Sequence, residues 1–221
     1  MNGNKKIDVM KSVYARNAEL ASELNKKLTG RAIFCVNVMG SPGAGKTSAL
    51  IKIIERLGCP AFVIEGDIES GIDAEKLGML GIKAVQINTG GACHLDAPSV
   101  AEVFFNAGSG FGNGFLFIEN IGNLVCPAEF MIGEHIKLLV CSVTDGGDKP
   151  YKYPLAFEKA DIVLLNKCDL RDRVDFDRDF FMAGIKKLNP SVPVFEISCA
   201  TGSGVREAVR WLTEKAARVI E

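Results

Sequence analysis

The stretch Ala32-Ile-Phe-Cys-Val-Asn-Val-Met-Gly40-Ser-Pro-Gly-Ala-Gly-Lys46-Thr47 decides the fold. Its first half, Ala32 to Met39, is a short, mostly apolar run of the kind expected in a parallel strand covered on both faces. Its second half fits the GxxxxGK pattern followed by Ser or Thr, directly after that strand and directly before a helix-length segment. Phosphates need backbone N–H groups at close approach. Gly43 and Gly45 permit this by having no side chain, and a helix beginning near Lys46 adds its dipole. Gly43, Ala44, Gly45, Lys46, Thr47 and Ser48 therefore form a candidate phosphate cradle. Lys46 is expected on the β- and γ-phosphates, and the Thr47 hydroxyl on the magnesium ion that bridges them. In a chain that binds no nucleotide, the same string would be a glycine turn.

Similar apolar runs recur at Ala61 to Ile64, Ala84 to Ile87, Phe115 to Ile118, Ile136 to Val143, Ile162 to Leu165 and Val194 to Ile197. Helix-length segments lie between most of them, at Ser48 to Leu57, Asp73 to Leu80, Val100 to Ala107, Asp177 to Leu188 and Ser203 to Ile220. Strands alternating with helices predict an α/β fold of the P-loop NTPase kind, with a mostly parallel sheet and helices on both faces. Ahead of it, Val9, Val13, Leu20, Leu24 and Leu28 fall near helical spacing from Ile7 onward, and Thr29 and Gly30 end the segment. Residues 1–30 thus read as an N-terminal helix packed on a nucleotide-binding domain of residues 31–221, into which the candidate metal loops are inserted. The Gly-rich stretch Gly108 to Gly114 reads as a loop.

Composition narrows the partners. The 221 residues are 48% hydrophobic, enough for a sizeable core, and 26 Lys and Arg against 27 Asp and Glu leave no global pull toward nucleic acid or anionic lipid. No apolar run approaches the roughly 18 residues that span a bilayer, and no secretory apolar core follows Lys5 and Lys6, so a cytoplasmic protein is expected. Seven cysteines, an odd count in a well-cored chain, argue for free thiols or metal ligands rather than a disulfide framework.

Base choice is readable as well. Asn166-Lys167-Cys168-Asp169 follows a buried run, and NKxD at a strand end is the guanine-reading signature of GTPases. The Asp169 carboxylate can accept from both N1–H and the exocyclic amine of guanine, whereas adenine presents an acceptor at N1. Asn166 can orient the loop or reach N7, and the Lys167 stem can cover the base face. After the last strand, Ser198, Cys199 and Ala200 sit where a second base loop belongs. The usual lysine is replaced there by Ala200, which leaves only a backbone N–H contact. Acidic residues end two further strands. Glu65-Gly66-Asp67 and Glu119-Asn-Ile-Gly122 can hold magnesium or its waters, and Glu65 can equally be a surface charge. Lys46, Thr47, Asp67 and Glu119 are the catalytic candidates, and Thr47, Asp67 and Glu119 the magnesium candidates. The second loop has DxxG switch spacing with Glu for Asp. Asn123 follows it where faster GTPases carry a water-orienting Gln, so slow hydrolysis is expected.

A third chemistry lies in Gly90-Gly-Ala-Cys93-His94 and in Cys126. A glycine-rich loop can turn Cys93 and His94 toward one ion or two adjacent ions, and Cys126 follows Glu119 in the loop after the same strand. Three ligands leave a site open, and a two-fold dimer would bring six together for zinc or nickel. Read without the nucleotide motifs, such a trio is more often incidental. Cys35 and Cys141 read as core residues, and His135 as a surface or strand-edge histidine.

GSPGAGKT, EGDI from Glu65, TGGACHLDA from Thr89, ENIGNLVCPAEF from Glu119, VTDGGDKPYKYP from Val143 and LNKCDL from Leu165 together resemble the HypB family of hydrogenase maturation GTPases, which are SIMIBI-class P-loop proteins. The resemblance runs from the leading helix to the C-terminus. It implies a GTPase that delivers nickel during hydrogenase maturation and alternates between GTP and GDP. It also implies a homodimer on GTP, metal at the dimer interface on Cys93, His94 and Cys126, and work with other maturation proteins and the hydrogenase large subunit. From the same resemblance Lys149, in the loop Asp148 to Pro154, would reach nucleotide across the dimer. No Cys precedes Cys35 in this sequence, so a second high-affinity site of the kind built on the Cys-rich N-terminal motif of some members is not expected. Urease accessory GTPases share the P-loop and NKxD but carry Cys-Pro-His, whereas here Cys93 and His94 adjoin. A regulatory G-domain with incidental cysteines is the other competing reading. A passive metal binder conflicts with the intact Lys46, Thr47 and Asp169.

Overall fold

The computed structural model describes residues 9–67 and 77–220. Its sheet has seven strands: β1 (Ile33–Gly40), β2 (Ala61–Asp67), β3 (Lys83–Asn88), β4 (Gly114–Glu119), β5 (Ile136–Ser142), β6 (Ile162–Asn166) and β7 (Val194–Glu196). They lie in the order β3-β2-β4-β1-β5-β6-β7, and every pairing is parallel. All seven expected strands are present. Val143 leaves β5 for a 3-10 turn, Val143–Asp145, whose N-cap Ser142 accepts from the Thr144 N–H. Every residue of β1, β5 and β6 is buried, which explains their unbroken apolar runs.

Helices cover both faces. They are α1 (Val9–Thr29), α2 (Lys46–Leu57), α3 (Ala97–Ala107), α7 (Arg178–Leu188) and α8 (Val205–Ile220), with the short α4 (Cys126–Glu129), α5 (Lys149–Lys152) and α6 (Pro154–Lys159) between β4 and β6. The α3 helix begins three residues earlier than its apolar pattern suggests, because Asp96 caps it by accepting from the Ser99 N–H and a proline follows in the first turn. Leu24 and Leu28 of α1 join Ile33, Phe62, Phe104 and Ile118 in one core cluster, so the leading helix is part of the sandwich. The expected helix start at Ile7 and residues 73–76 of the expected helix Asp73 to Leu80 lie outside the described residues. The short helices were not expected. Each holds a proline in its first turn and is too brief to show helical periodicity.

One polar element runs through this apolar interior. Asn37 of β1 is fully buried; its Oδ1 accepts from Asn120 Nδ2 at 3.2 Å and its Nδ2 donates to Glu134 Oε1 at 3.4 Å. Glu134 pairs with Lys137 at 2.8 Å, and Lys137 Nζ also donates to the Pro127 and Phe130 carbonyls at 3.0 and 2.7 Å. His135 is half-buried rather than superficial. Its Nδ1 accepts from the Cys35 N–H, its ring stacks on Phe34, and burial lowers its pKa below the ordinary histidine value. The Glu134–Lys137 pair yields a stability prediction. Lys137→Ala leaves a buried carboxylate and two carbonyls without their cation, and urea unfolding should show a loss of about 3–5 kcal/mol.

Candidate functional site: a nucleotide cleft joined to a metal-donor cluster

The cradle forms as its glycines require. Gly43 and Gly45 sit at φ +76° and +93°, and a Cβ on Gly45 would meet Asn166 Nδ2 at 2.5 Å. Gly45 is the N-cap of α2 and has no side chain to cap it, so the first amides of the helix face the cleft. A cavity of about 310 Å³ is lined there by Gly43, Gly45, Lys46, Thr47, Ser48, Ile51 and Glu119. A second cavity of about 450 Å³ shares Gly45, Ser48 and Ile51 with it and extends to Asn166, Lys167, Asp169, Cys199 and Ala200. One continuous cleft thus runs from the cradle to the NKxD loop, at the carboxyl ends of the strands.

The base loops are tied to the cradle. Buried Asn166 donates through Nδ2 to the Ala44 carbonyl at 3.1 Å, while its Oδ1 accepts from the Lys167 and Cys199 amides. With all these bonds internal, Asn166 acts as the loop organiser of the two expected roles. Lys167 adopts the left-handed conformation and sends its ammonium to the Gly43 carbonyl at 2.7 Å. Asp169 is exposed at the cavity wall. The Ser198 N–H is committed to the Ser203 carbonyl and that of Cys199 to Asn166, which leaves the Ala200 amide as the candidate base contact. Lys149 lies apart from this cleft, over the Tyr153 ring.

Of the acidic residues, Glu119 stands in the wall of the cradle cavity. Thr47 Oγ1 donates to Glu119 Oε1 at 2.9 Å. Glu65 stands opposite Glu119 in the β2–β4 ladder, and both are buried, which removes the surface-charge reading of Glu65. Asp67, at the end of β2, shares the face of Glu65 by strand alternation. A hydroxyl and hard carboxylate oxygens suit magnesium. Glu65 is the residue that sequence reasoning set aside; its signal was a carboxylate closing an otherwise apolar strand.

The thiols and imidazole also converge. Cys93 Sγ lies 3.1 Å from Cys126 Sγ and 3.4 Å from His94 Nδ1, and among the described residues these form the one cluster of three such donors, all within 4.8 Å of one another. The His94 ring stacks on Phe130 at 3.9 Å, and Phe130 stacks in turn on Tyr14 of α1 at 4.7 Å. Partial burial lowers the His94 pKa, which keeps the imidazole in its neutral, ligating form near pH 7. The Cys126 thiol is pushed up, chiefly by its hydrogen bond to Cys93 and then by burial. Two soft thiol donors with an imidazole suit zinc or nickel and poorly suit magnesium.

Comparison with known proteins agrees with this geometry. Residues 34–196 match the family model described as the CobW/HypB/UreG nucleotide-binding domain. The hydrogenase maturation factor HypB of Azotobacter chroococcum is 41% identical over 96% of this chain and 70% of its own length. The crystal structure of HypB from Helicobacter pylori in complex with nickel superposes with a TM-score of 0.87 at 32% identity, covering 93% of this chain and 97% of that one. HypB from Archaeoglobus fulgidus gives 0.84 at 35% identity, covering 91% and 99%.

The donor chemistry predicts a steep pH dependence. Both thiols must lose protons to ligate, while His94 is already neutral, so nickel affinity should rise with pH. Calorimetry between about pH 6 and 8 should find more than a tenfold gain per pH unit; a slope of one decade or less would show that only one thiol ligates.

Proposed function

The chain belongs to the HypB family within the CobW/HypB/UreG nucleotide-binding proteins, and on that premise we propose that it is a GTP-hydrolysing metallochaperone delivering nickel during nickel-iron hydrogenase maturation. The observation that carries the reading is the placement of three metal donors on loops joined to the segment that begins at Glu119, itself bonded to Thr47 of the cradle. In this reading the α2 amides and Lys46 hold the phosphates, Asp169 selects guanine, and Thr47, Asp67 and Glu119 hold magnesium. Magnesium, when bound, neutralises charge on the β- and γ-phosphates. Hydrolysis is slow because the Asn123 amide is engaged with the Cys93 carbonyl and the Val125 N–H rather than aimed at a water.

Nickel or zinc is the cargo, taken by Cys93, His94 and Cys126. The site has three protein donors, and Cys93 is exposed, which favours completion by a second copy in a GTP-dependent homodimer. Lys149, which lies over the Tyr153 ring and lines neither cavity, is the residue assigned to a partner's nucleotide in that dimer. Within the N-terminal segment of residues 1–30, Val9–Thr29 serve as a packing helix on the GTPase domain of residues 31–221. The protein works in the cytoplasm with other hydrogenase maturation proteins and the hydrogenase large subunit, and binds neither nucleic acid nor membrane. Among the described residues, no helix is long and apolar enough to cross a membrane.

Two experiments test this. Asp169→Asn should shift preference from guanine to xanthine nucleotides, whose C2 oxygen can accept from the new amide; equal affinity of the unmodified protein for ATP and GTP would remove the guanine assignment. Titrating nickel into the GDP-bound and GTP-analogue-bound protein should reveal a difference of about 5- to 150-fold in affinity, since a switch of this kind typically couples its sites by about 1–3 kcal/mol. Identical affinity, stoichiometry and oligomeric state in the two forms would overturn the nucleotide-controlled delivery.

A further inference from the structure

Two asparagines in the loop after β4 grip the backbone on either side of His94. Asn123 Nδ2 donates to the Cys93 carbonyl at 3.1 Å, and Asn120 Oδ1 accepts from the Leu95 N–H at 3.2 Å. Both asparagines are fastened to the strand that becomes the cradle. The Asn120 N–H donates to the Val38 carbonyl at 2.9 Å, and Asn123 forms an antiparallel bridge with Gly40. Between them, Gly122 is pressed against the cradle so closely that a Cβ there would meet Pro42 at 2.8 Å. Asn123 also reaches the third ligand. Its Oδ1 accepts from the Val125 N–H at 2.9 Å, at the start of the short helix whose first residue is Cys126.

We propose that Asn120 and Asn123 are positioning residues forming a clasp that binds the Cys93–His94 segment to the switch loop, so that all three metal donors shift together when the nucleotide changes. The inference deepens the nucleotide-controlled delivery described above and rests on it. Without the clasp, only Cys126 belongs to the loop that begins at Glu119, whereas Cys93 and His94 stand in a separate glycine-rich loop after β3. A change at Glu119 would then pull one ligand out of three. With the clasp, the Cys93 carbonyl and the Leu95 amide follow Asn123 and Asn120, and the donor geometry changes as a unit. The buried Asn120 is the fixed jaw, since its Nδ2 donates to buried Asn37. Asn123, only partly buried, is the jaw that substitution can open with least damage to the core.

The two functions of the Asn123 amide can be separated. Asn123→Asp keeps the acceptor for the Val125 N–H, but its carboxylate cannot donate to the Cys93 carbonyl and repels it. Asn123→Ala removes both backbone bonds and the side-chain hydrogen bond to the Cys126 thiol. Nickel is titrated calorimetrically into the GDP-bound and GTP-analogue-bound forms of the unmodified protein and of each variant. The expected result is a nickel-affinity ratio between the two nucleotide states of about 5- to 150-fold in the unmodified protein that collapses toward one in Asn123→Asp and in Asn123→Ala, with nickel still bound at unaltered stoichiometry. If Asn123→Ala fails to fold, Asn123→Asp, which retains the bond at the helix start, supplies the comparison. Weaker nickel binding in both states with the ratio preserved would mean that the asparagine supports the ligands without transmitting anything, and would overturn the clasp. A ratio of one in the unmodified protein would overturn the nucleotide-controlled delivery itself, so the two failures are read from different arms.

Discussion

The hydrogen bond from Thr47 to Glu119 joins the helix that follows β1 to the loop that follows β4. It exists only because β1 and β4 are neighbours in parallel register, with Val38 opposite Glu119. A slip of one residue would turn the Glu119 side chain to the other face of the sheet and break the link between the cradle and the loop after β4. The connection between β3 and β4 runs through α3 and returns the chain to the slot between β2 and β1. Strand order here is therefore part of the site, because it delivers Glu119 to the cradle end of the cleft and Cys126 to the donor cluster within one short segment.

Loops that carry ligands need a floor, and here the floor is polar. An asparagine inside a fully buried strand costs free energy unless its amide is satisfied, and Asn37 meets that requirement with Asn120 on one side and Glu134 on the other. Lys137 then neutralises Glu134 and takes up the Pro127 and Phe130 carbonyls around the short helix that starts at Cys126. Phe130 passes the constraint outward, because its ring lies between His94 and Tyr14. Replacing the buried polar chain with apolar residues could leave the fold as stable or more so. It would remove the fixed positions of the Asn120 amide and the Phe130 backbone, on which the donor loops depend.

The sequence made the large features legible for clear reasons. The strands are buried on both faces, so their apolar runs stand out without regard to partners, and the phosphate cradle combines a fixed string with a fixed strand-loop-helix setting. Cys93, His94 and Cys126 were candidates because both loops follow strands whose carboxyl ends lie on one edge, but it was the family resemblance that singled the trio out as ligands. What stayed hidden depends on tertiary partners. Glu65 looks like any strand-end charge until β2 is laid beside β4. Asn166 has two plausible tasks until the Ala44 carbonyl and the Cys199 amide claim its side chain. The three short helices leave no periodic trace, and the asparagines of the loop after β4 read as ordinary loop residues because their partners are backbone atoms of another loop.

Asn123 occupies the position at which a faster GTPase would place a glutamine, and its environment gives that substitution a physical sense. A residue that orients water needs a donor and an acceptor turned toward the nucleotide. Both ends of the Asn123 amide are turned to the donor loops, since Nδ2 donates to the Cys93 carbonyl, Oδ1 accepts from the Val125 N–H and the side chain also hydrogen-bonds the Cys126 thiol, so neither end is aimed at the nucleotide. A glutamine, one methylene longer, would not hold the same two backbone groups from the same Cα. In the proposed cycle, slow hydrolysis and metal coupling are then two consequences of one choice. In that proposed cycle the amide fastens the donor loops together instead of hastening the loss of the γ-phosphate, and the GTP-bound state would last long enough for a metal ion and a second subunit to find it.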